Sequence, residues 1–432
     1  MKIFLDTIGC RLNQSEIEIY ARQYHAAGHT LVATADLADL VIINTCTVTA
    51  QAAADSRQQI RQAARQGAAK IVVTGCWATM EPGIAAALPR VSHVIPNQDK
   101  DRLVSILLNQ DIQENAGEQT VRQPLPGIHH RTRAFIKVQD GCNNRCTYCI
   151  TCLARGPSRS REFPAIRQDV EAALAGGCKE IVLTGVHLGA WGADLQPAAR
   201  LPYLIRRLLS ETGVPRLRLS SLEPWDLGTD FFELWHDPHL GHRLCRHLHL
   251  PLQSGCAATL QRMARKSTPQ AYAELVHGAR KAVPGIAITT DIIVGFPGES
   301  EAEFSASRDF IGSLDFARGH VFIYSPRPGT AAARMPDQVP YPLRKQRSQQ
   351  LRQLFSQAEQ RYQASFIGQR LEVLWESAQP KDQCSWQLSG LTDTYIRVTA
   401  QAPVNLWNEI SPVELVAPSD GGMQGIIYDR SE

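Results

Sequence analysis

The sequence has no long hydrophobic run. No apolar stretch reaches the 18 or more residues that mark a membrane-crossing helix. The opening residues, MKIFLDTIGC, also lack the long apolar core of a secretion signal, because Asp6 interrupts them early. We therefore expect a cytoplasmic protein with no membrane partner.

The composition also argues against a disulfide framework. The chain has 11 cysteines in 432 residues, but a reducing cytosol keeps thiols free. A chain of this length can form two or three domains, each with its own core, without covalent cross-links. We therefore expect the cysteines to bind metal or to take part in catalysis.

Acidic residues are scarce where the cysteines are densest. Residues 131–167 hold eight Lys or Arg against two acids, residues 340–365 hold five against one, and the tail from Phe366 is acidic. Clustered cations attract a polyanion because binding releases counterions, although a run of charge can also be a solvated helix face. The candidate polyanion contacts are Arg155, Arg159, Arg161, Arg344, Lys345 and Arg347.

Three short apolar runs in the first 117 residues each lead to a cysteine. They read KIFLDTIGC, LVIINTC and KIVVTGC, and amphipathic stretches at 16–27 and 50–66 separate them. This alternation predicts a doubly wound parallel sheet, with Cys10, Cys46 and Cys76 at its carboxyl edge. Three thiolates with no fourth partner favour an open iron–sulfur cluster over structural zinc.

A second cysteine group follows a polar linker at 110–127. Six further strand–helix units predict an incomplete parallel barrel, with strands near 135–139, 180–184, 216–220, 246–250, 286–294 and 319–324. Cys142, Cys146 and Cys149 lie just past the first of these strands, in the spacing C-x3-C-x2-C. A zinc site would need Cys152 as a fourth ligand and has no second cysteine pair to support it.

The segment Cys142-x3-Cys146-x-Tyr148-Cys149 resembles the signature of radical S-adenosylmethionine enzymes. With Cys10, Cys46 and Cys76 added, the chain resembles the methylthiotransferases almost end to end. The resemblance includes GCKEIVLTGVHLGAWG, HLPLQSG and TDIIVGFPGES. The segments SSLEPWDL and HVFIYSPRPGTAAARMP are most similar to the branch that acts on threonylcarbamoyladenosine in tRNA, next to the anticodon.

The resemblance implies an α/β protein of three domains. These are an N-terminal doubly wound domain with an open cluster at 1–117, a partial (β/α)6 radical barrel at 128–362, and a small TRAM-like β-barrel at 366–428. It implies two [4Fe-4S] clusters, with S-adenosylmethionine as both radical source and methyl donor. The implied reaction adds a methylthio group to C2 of the modified adenosine.

The resemblance also implies roles for individual residues. The cluster ligands would be Cys10, Cys46, Cys76, Cys142, Cys146 and Cys149. The S-adenosylmethionine contacts would be Tyr148, Lys179, Glu180, Thr184, Gly185 and Glu223, although Lys179 and Glu180 also fit a surface pair that opens a strand. Cys152 would be a bystander.

The partners would be tRNA, contacted by the arginines named above, and a flavodoxin-like or ferredoxin-like reductant, and we expect a monomer. Three alternatives stay open: a methylthiotransferase of isopentenyladenosine in tRNA, one of a ribosomal-protein aspartate, and a non-catalytic iron–sulfur RNA-binding protein.

Overall fold

The structure is a computed structural model that describes residues 1–110, 132–381 and 384–428. The predicted domain boundaries at 117 and 128 fall outside these ranges. Within the described residues, no helix is long and apolar enough to cross a membrane.

A parallel sheet with helices on both faces forms the N-terminal part. Its elements are β1 (Lys2–Thr7), α1 (Arg11–Ala26), β2 (Thr30–Leu31), β3 (Leu40–Thr45), α2 (Ala50–Arg65), β4 (Ile71–Gly75), α3 (Cys76–Met80), α4 (Pro82–Ala86), β5 (Val91–Ile95) and α5 (Leu103–Leu108). The strand order is β2-β1-β3-β4-β5. Ile43 packs with α2 on one face, and Ile42 packs with α1 on the other. The predicted doubly wound sheet is therefore confirmed.

Six parallel strands form the central part. Its elements are β6 (Arg133–Lys137), β7 (Gln139–Asp140), α6 (Thr151–Arg155), β8 (Arg159–Ser160), α7 (Phe163–Ala175), β9 (Glu180–Thr184), α8 (Leu201–Glu211), β10 (Arg216–Leu219), α9 (Glu233–His236), β11 (His247–His249), α10 (Ala257–Arg262), α11 (Pro269–Ala282), β12 (Ala287–Val294), α12 (Glu301–Ser313), β13 (Arg318–Ile323) and α13 (Tyr341–Ala364). The triplets β6-β9-β10 and β11-β12-β13 are linked by isolated bridges such as Leu217 to Leu244. Each of the six predicted barrel strands overlaps one of these strands, so the partial barrel is confirmed.

A closed five-stranded barrel forms the C-terminal part. Its strands are β14 (Arg370–Pro380), β15 (Trp386–Thr392), β16 (Arg397–Ala402), β17 (Ile410–Ser419) and β18 (Gly422–Ile427), around a core that includes Trp375. A loop of this barrel covers the amino-terminal ends of the central strands. The Arg218 guanidinium donates to the Thr392 carbonyl at 3.0 Å, and Tyr395 stacks on His247 with 4.8 Å between ring centroids.

The packing of α13 against β13 depends on one glycine. A Cβ at Gly319 would lie 2.2 Å from a Phe355 ring atom, whereas a Cβ at Gly312 would lie 3.5 Å from the nearest atom, on Leu354. We expect Gly319→Ala to lower the free energy of unfolding by about 1–3 kcal/mol, because the ring must shift. Gly312→Ala removes a helical glycine and should be neutral or stabilising. Chemical denaturation of the two variants, followed by tryptophan fluorescence, measures the difference, and equal stabilities would contradict this packing.

Candidate active site

Cys10, Cys46 and Cys76 meet at the carboxyl edge of the N-terminal sheet. Cys10 caps α1 after β1, Cys46 follows β3 directly, and Cys76 is the first residue of α3 after β4. Cys10 is exposed, whereas the other two are buried. Burial, together with the neighbouring Cys10 and Cys76, raises the pKa of Cys46 to about 11, although a backbone hydrogen bond at Val48 and the charge of Arg155 oppose the shift. A bound metal is what would hold such crowded thiols as thiolates.

Two glycines allow these cysteines to approach each other. Gly9 has a φ of +106°, and a Cβ there would lie 2.7 Å from the Cys46 sulfur. Gly75 has a φ of +94°, and a Cβ there would lie 2.3 Å from the Thr45 carbonyl oxygen. Both positions combine a positive φ with a close approach of a neighbouring strand end. Only glycine meets both requirements, because any side chain would separate the strand ends.

Cys142, Cys146 and Cys149 form the second group, in the loop between β7 and α6. All three are half-buried. The backbone N–H groups of Asn144 and Thr151 donate to the sulfurs of Cys142 and Cys149, each at 3.4 Å. These hydrogen bonds favour negative charge on the sulfurs, as in a metal-bound thiolate.

The donor chemistry of both groups fits an iron–sulfur cluster. Thiolates are the ligands that such clusters take, with each thiolate on a separate iron, so the sulfurs need not converge on one point. Among the described residues, no three Cys, His, Asp or Glu side chains form a site for a single metal ion. Three cysteines in each group would leave one iron of a cubane without a protein ligand.

A cavity of about 190 Å³ lies beside the second group and the loop that follows Cys46. The loop after Cys46 supplies Val48 and Thr49, and the second group supplies Cys149 itself. The carboxyl ends of the central strands provide further lining, including Asp291 and Phe322. One cavity therefore borders Cys149 of the second group and the loop that follows Cys46, at the strand ends where parallel folds place their sites.

Comparisons with known proteins agree with this geometry. The model of the uncharacterized protein family UPF0004 matches residues 2–95, and that of the radical SAM superfamily matches residues 136–311. The chain is 35% identical to the threonylcarbamoyladenosine tRNA methylthiotransferase MtaB of Bacillus subtilis, over 95% of this chain and 92% of the relative. The chain belongs to the radical SAM methylthiotransferase family.

Two further matches bear on this assignment. A tRNA-2-methylthio-N(6)-dimethylallyladenosine synthase of Moorella thermoacetica is 32% identical, over 98% of this chain and 97% of the relative. The solved radical S-adenosylmethionine methyltransferase TsrM of Kitasatospora setae is similar in fold, with a TM-score of 0.58, 15% identity and 77% of each chain covered. As a radical SAM methylthiotransferase, the protein uses an iron–sulfur cluster and S-adenosylmethionine.

Four of the six predicted S-adenosylmethionine contacts lie at the carboxyl end of the barrel. Thr184 and Gly185 end β9, and Tyr148 lines the cavity and packs edge-on against Phe296. The Glu223 carboxylate accepts hydrogen bonds from Arg265 at 2.7 and 3.1 Å. Arg265 also lies 4.0 Å from the Cys146 sulfur and so connects Glu223 to the cysteine loop.

The prediction for Lys179 and Glu180 is wrong. Both residues lie at the amino-terminal end of β9, at the opposite end of the barrel from the cysteines. Glu180 is fully buried between Arg218, at 2.7 Å, and Arg216, at 3.0 Å. Burial raises the pKa of Glu180, but these arginines outweigh it and lower the pKa to about 2. Glu180 therefore balances the cations against which the C-terminal barrel docks.

Sequence reasoning missed a histidine beside the second cysteine group. His187 Nε2 lies 2.6 Å from the Asp226 carboxylate, and its backbone N–H donates to Gln139 at 2.7 Å. Burial lowers the pKa of His187, but hydrogen bonds to Asp226 and Cys142 raise it to about 9. The sequence feature that could have identified His187 is its position in GVHLG, directly after β9, at the carboxyl end of the barrel.

A buried cluster of charges joins the N-terminal sheet to the barrel. The Arg155 guanidinium lies 3.0 Å from Glu16 of α1 and 2.9 Å from Asp140 of β7, and Lys100 lies 3.1 Å from Asp140. Lys137 is 3.8 Å from Glu16. We call Glu16, Lys100, Lys137, Asp140 and Arg155 the ion cluster; all five are buried.

Helix α6 links the two cysteine groups through this cluster. Arg155 donates to the Asn13 side chain at 2.6 Å, and Asn13 in turn donates to the Thr45 carbonyl beside Cys46. The Asn97 amide donates to the Ala154 carbonyl at 2.7 Å and lies 3.6 Å from the Cys76 sulfur. Since α6 begins just after Cys149, one short helix sets the two groups relative to each other. Cys152, also on α6, has its thiol 3.8 Å from the Cys149 carbonyl oxygen.

The structure corrects the predicted tRNA contacts. Arg155 and Arg347 are buried, and Arg347 pairs with Glu299 at 2.8 Å, so neither can reach a phosphate. Arg161 pairs with Asp169, and Arg344 donates to the Tyr324 carbonyl. Of the six, Lys345 is exposed, and Arg159, Arg161 and Arg344 are half-buried. Density of cations along the sequence did not reveal which guanidinium groups point inward.

The ion cluster predicts a large effect for Arg155→Met. Removing this cation leaves Glu16 and Asp140 buried with fewer partners, which should lower the free energy of unfolding by about 3–5 kcal/mol. Arg22→Met is the matched control, because Arg22 also joins α1 to the barrel, through Asp169, which keeps Arg161. Denaturation of the apoproteins should show the smaller loss for Arg22→Met. Equal losses would contradict a special role for Arg155.

Proposed function

We propose that the chain is a tRNA-modifying methylthiotransferase that adds a methylthio group to C2 of N6-threonylcarbamoyladenosine next to the anticodon. The observation that carries this proposal is the pair of three-cysteine groups at neighbouring strand ends, connected by α6 and bordered by a cavity that Cys149 and the loop after Cys46 line. The Bacillus subtilis relative supports it through its name, and so does a relative of the same name in Thermotoga maritima, 35% identical over 91% of this chain.

Each cysteine group fits a [4Fe-4S] cluster, so the proposal includes two. Cys142, Cys146 and Cys149 would hold the cluster that works with S-adenosylmethionine, and Cys10, Cys46 and Cys76 would hold the other. When bound, these groups supply hydrogen-atom abstraction, the sulfur and the methyl group. The methylthio transfer needs both chemistries at one carbon, and α6 sets the two groups relative to each other.

The chain's own residues would position the reactants. Tyr148, Thr184, Gly185 and Glu223 are the proposed S-adenosylmethionine contacts, and Arg265 fixes the Glu223 carboxylate. The Phe296 ring packs edge-on against Tyr148 and supports its side chain from one side. Preorganised groups of this kind accelerate a reaction by holding its partners in one geometry.

The remaining partners follow from the same proposal. Arg159 and Lys345 are the remaining candidate phosphate contacts, because Arg161 pairs with Asp169 and Arg344 donates to the Tyr324 carbonyl. A flavodoxin-like or ferredoxin-like protein would supply electrons to a monomeric enzyme in the cytoplasm. The proposed domains remain 1–117, 128–362 and 366–428.

A methylthiotransferase of dimethylallyladenosine is the second candidate. The Moorella thermoacetica relative of that name covers nearly the whole chain at 32% identity. Its substrate differs in the group on N6, which is apolar rather than a threonine with a free carboxylate. The choice between the two therefore depends on the part of the cavity that meets this group.

Mass spectrometry of tRNA nucleosides tests the proposal. The purified, anaerobically reconstituted enzyme is incubated with S-adenosylmethionine, a reductant and tRNA that carries threonylcarbamoyladenosine. We expect its 2-methylthio derivative to appear. A methylthio derivative formed only on dimethylallyladenosine would favour the second candidate, and unmodified tRNA of both kinds would contradict a tRNA substrate.

The two cysteine groups should fail in different ways. We expect Cys10→Ala to reduce methylthiolation to background while cleavage of S-adenosylmethionine stays detectable, because the Cys142 group remains intact. Cys256→Ala is the control, since Cys256 caps α10 outside both groups. Chromatography of the 5′-deoxyadenosine product and of the nucleosides measures both reactions. Cleavage and methylthiolation lost together in Cys10→Ala would argue against separate roles.

A further inference from the structure

Arg327 is the one cation among the described residues that line the cavity beside Cys149. It lies just past β13, where the strand ends open toward the two cysteine groups. Asp291, on β12, is the one acid in that lining. The other lining side chains are apolar or neutral, so Arg327 is the lining group that can attract an anion.

The nitrogens of the Arg327 guanidinium differ in their hydrogen bonding. Its Nη2 donates to the Thr47 hydroxyl at 2.6 Å, beside Cys46. Its Nε is buried and, within the described ranges of the chain, has no hydrogen-bond partner. A hydrogen-bond donor left unpaired in this way lowers stability until a partner binds it.

Arg327 differs from Arg218 in its ion pairing. Arg218 is fully buried and pairs with the Glu180 carboxylate at 2.7 Å. Arg327 is half-buried, and in the part of the chain that the structure describes it forms no salt bridge. An incoming anion would supply such a partner.

The substrate of the proposed function carries such anions, and this inference rests on that function. Threonylcarbamoyladenosine has a free threonine carboxylate on its N6 substituent, and its nucleotide has a phosphate. Arginine binds either group through two parallel hydrogen bonds. A dimethylallyl substituent offers no anion, so a carboxylate contact would also discriminate between the two kinds of tRNA.

An aromatic ring lies at the same cavity. Phe322 lines it with 44% of its surface exposed, and Val48 across the cavity is 55% exposed. Exposed aromatic side chains beside a cavity suit an unstacked base, which gains free energy by packing on a ring. The cavity thus presents an apolar surface for the adenine and a cation for its anionic group.

We propose that Arg327 is a specificity-determining residue that binds an oxyanion of the substrate nucleotide, while the base packs against Phe322. The bound oxyanion completes the hydrogen bonding of the guanidinium. Thr47 fixes the Arg327 guanidinium beside Cys46. An oxyanion bound to Arg327 therefore holds the substrate close to the first cysteine group, the proposed source of the sulfur.

The test measures binding of anticodon stem-loop RNA to the holoenzyme by fluorescence anisotropy. One RNA carries threonylcarbamoyladenosine and a second carries unmodified adenosine at the same position. The variants are Arg327→Met and Arg327→Lys, with Arg334→Met as the control, since Arg334 is exposed in the same segment and does not line the cavity. Iron content and thermal unfolding show that each variant is folded and loaded.

We expect Arg327→Met to weaken binding of the modified RNA about tenfold or more, the value of a lost charged hydrogen bond. Arg327→Lys should fall between, and Arg334→Met should bind like the wild type. A loss confined to the modified RNA identifies the carboxylate as the oxyanion, and an equal loss for both RNAs identifies a phosphate. Unchanged binding of both RNAs overturns the proposal, as does a loss of S-adenosylmethionine affinity with RNA binding intact. Nucleoside mass spectrometry of the wild type tests the proposed function separately.

Discussion

The ion cluster is the interaction on which the geometry of the site depends. Burying five charged side chains costs free energy, and only close pairing offsets that cost. The arrangement is therefore stable in one geometry and unstable in any other. Its members come from both parts of the chain, Glu16 and Lys100 from the N-terminal part and Lys137, Asp140 and Arg155 from the barrel. The pairing of these five side chains therefore fixes the N-terminal sheet against the central barrel.

This fixed geometry determines how the two cysteine groups can act together. Two parallel sheets each deliver three cysteines at their carboxyl ends, and α6 with Asn13 and Asn97 sets those ends against each other. A reaction that removes hydrogen from a carbon and then adds sulfur to it needs both centres at one substrate atom. The C-terminal barrel meanwhile docks at the other end of the strands, where Glu180 and Arg218 pair beneath its loop.

The sequence predicts the fold and the cysteine groups because these follow from local patterns. Strand and helix periods place KIVVTGC and its counterparts at one sheet edge, and the spacing of Cys142, Cys146 and Cys149 marks the loop. The fate of individual charges does not follow from such patterns. Arg155 pairs with Glu16 across 139 positions of sequence, and Glu180 with Arg218 across 38. The composition of a segment does not show such distant pairing, which is why the sequence predicts Arg155 as a tRNA contact on the surface.

The measurement that tests the central claim most directly is the iron and sulfide content of the reconstituted protein. Two open cubanes predict about eight irons per chain in the wild type. A variant with Cys10, Cys46 and Cys76 all changed to Ala should hold about four, and so should one with Cys142, Cys146 and Cys149 changed. About four irons in the wild type, or a content that either triple variant leaves unchanged, would contradict the two-centre account.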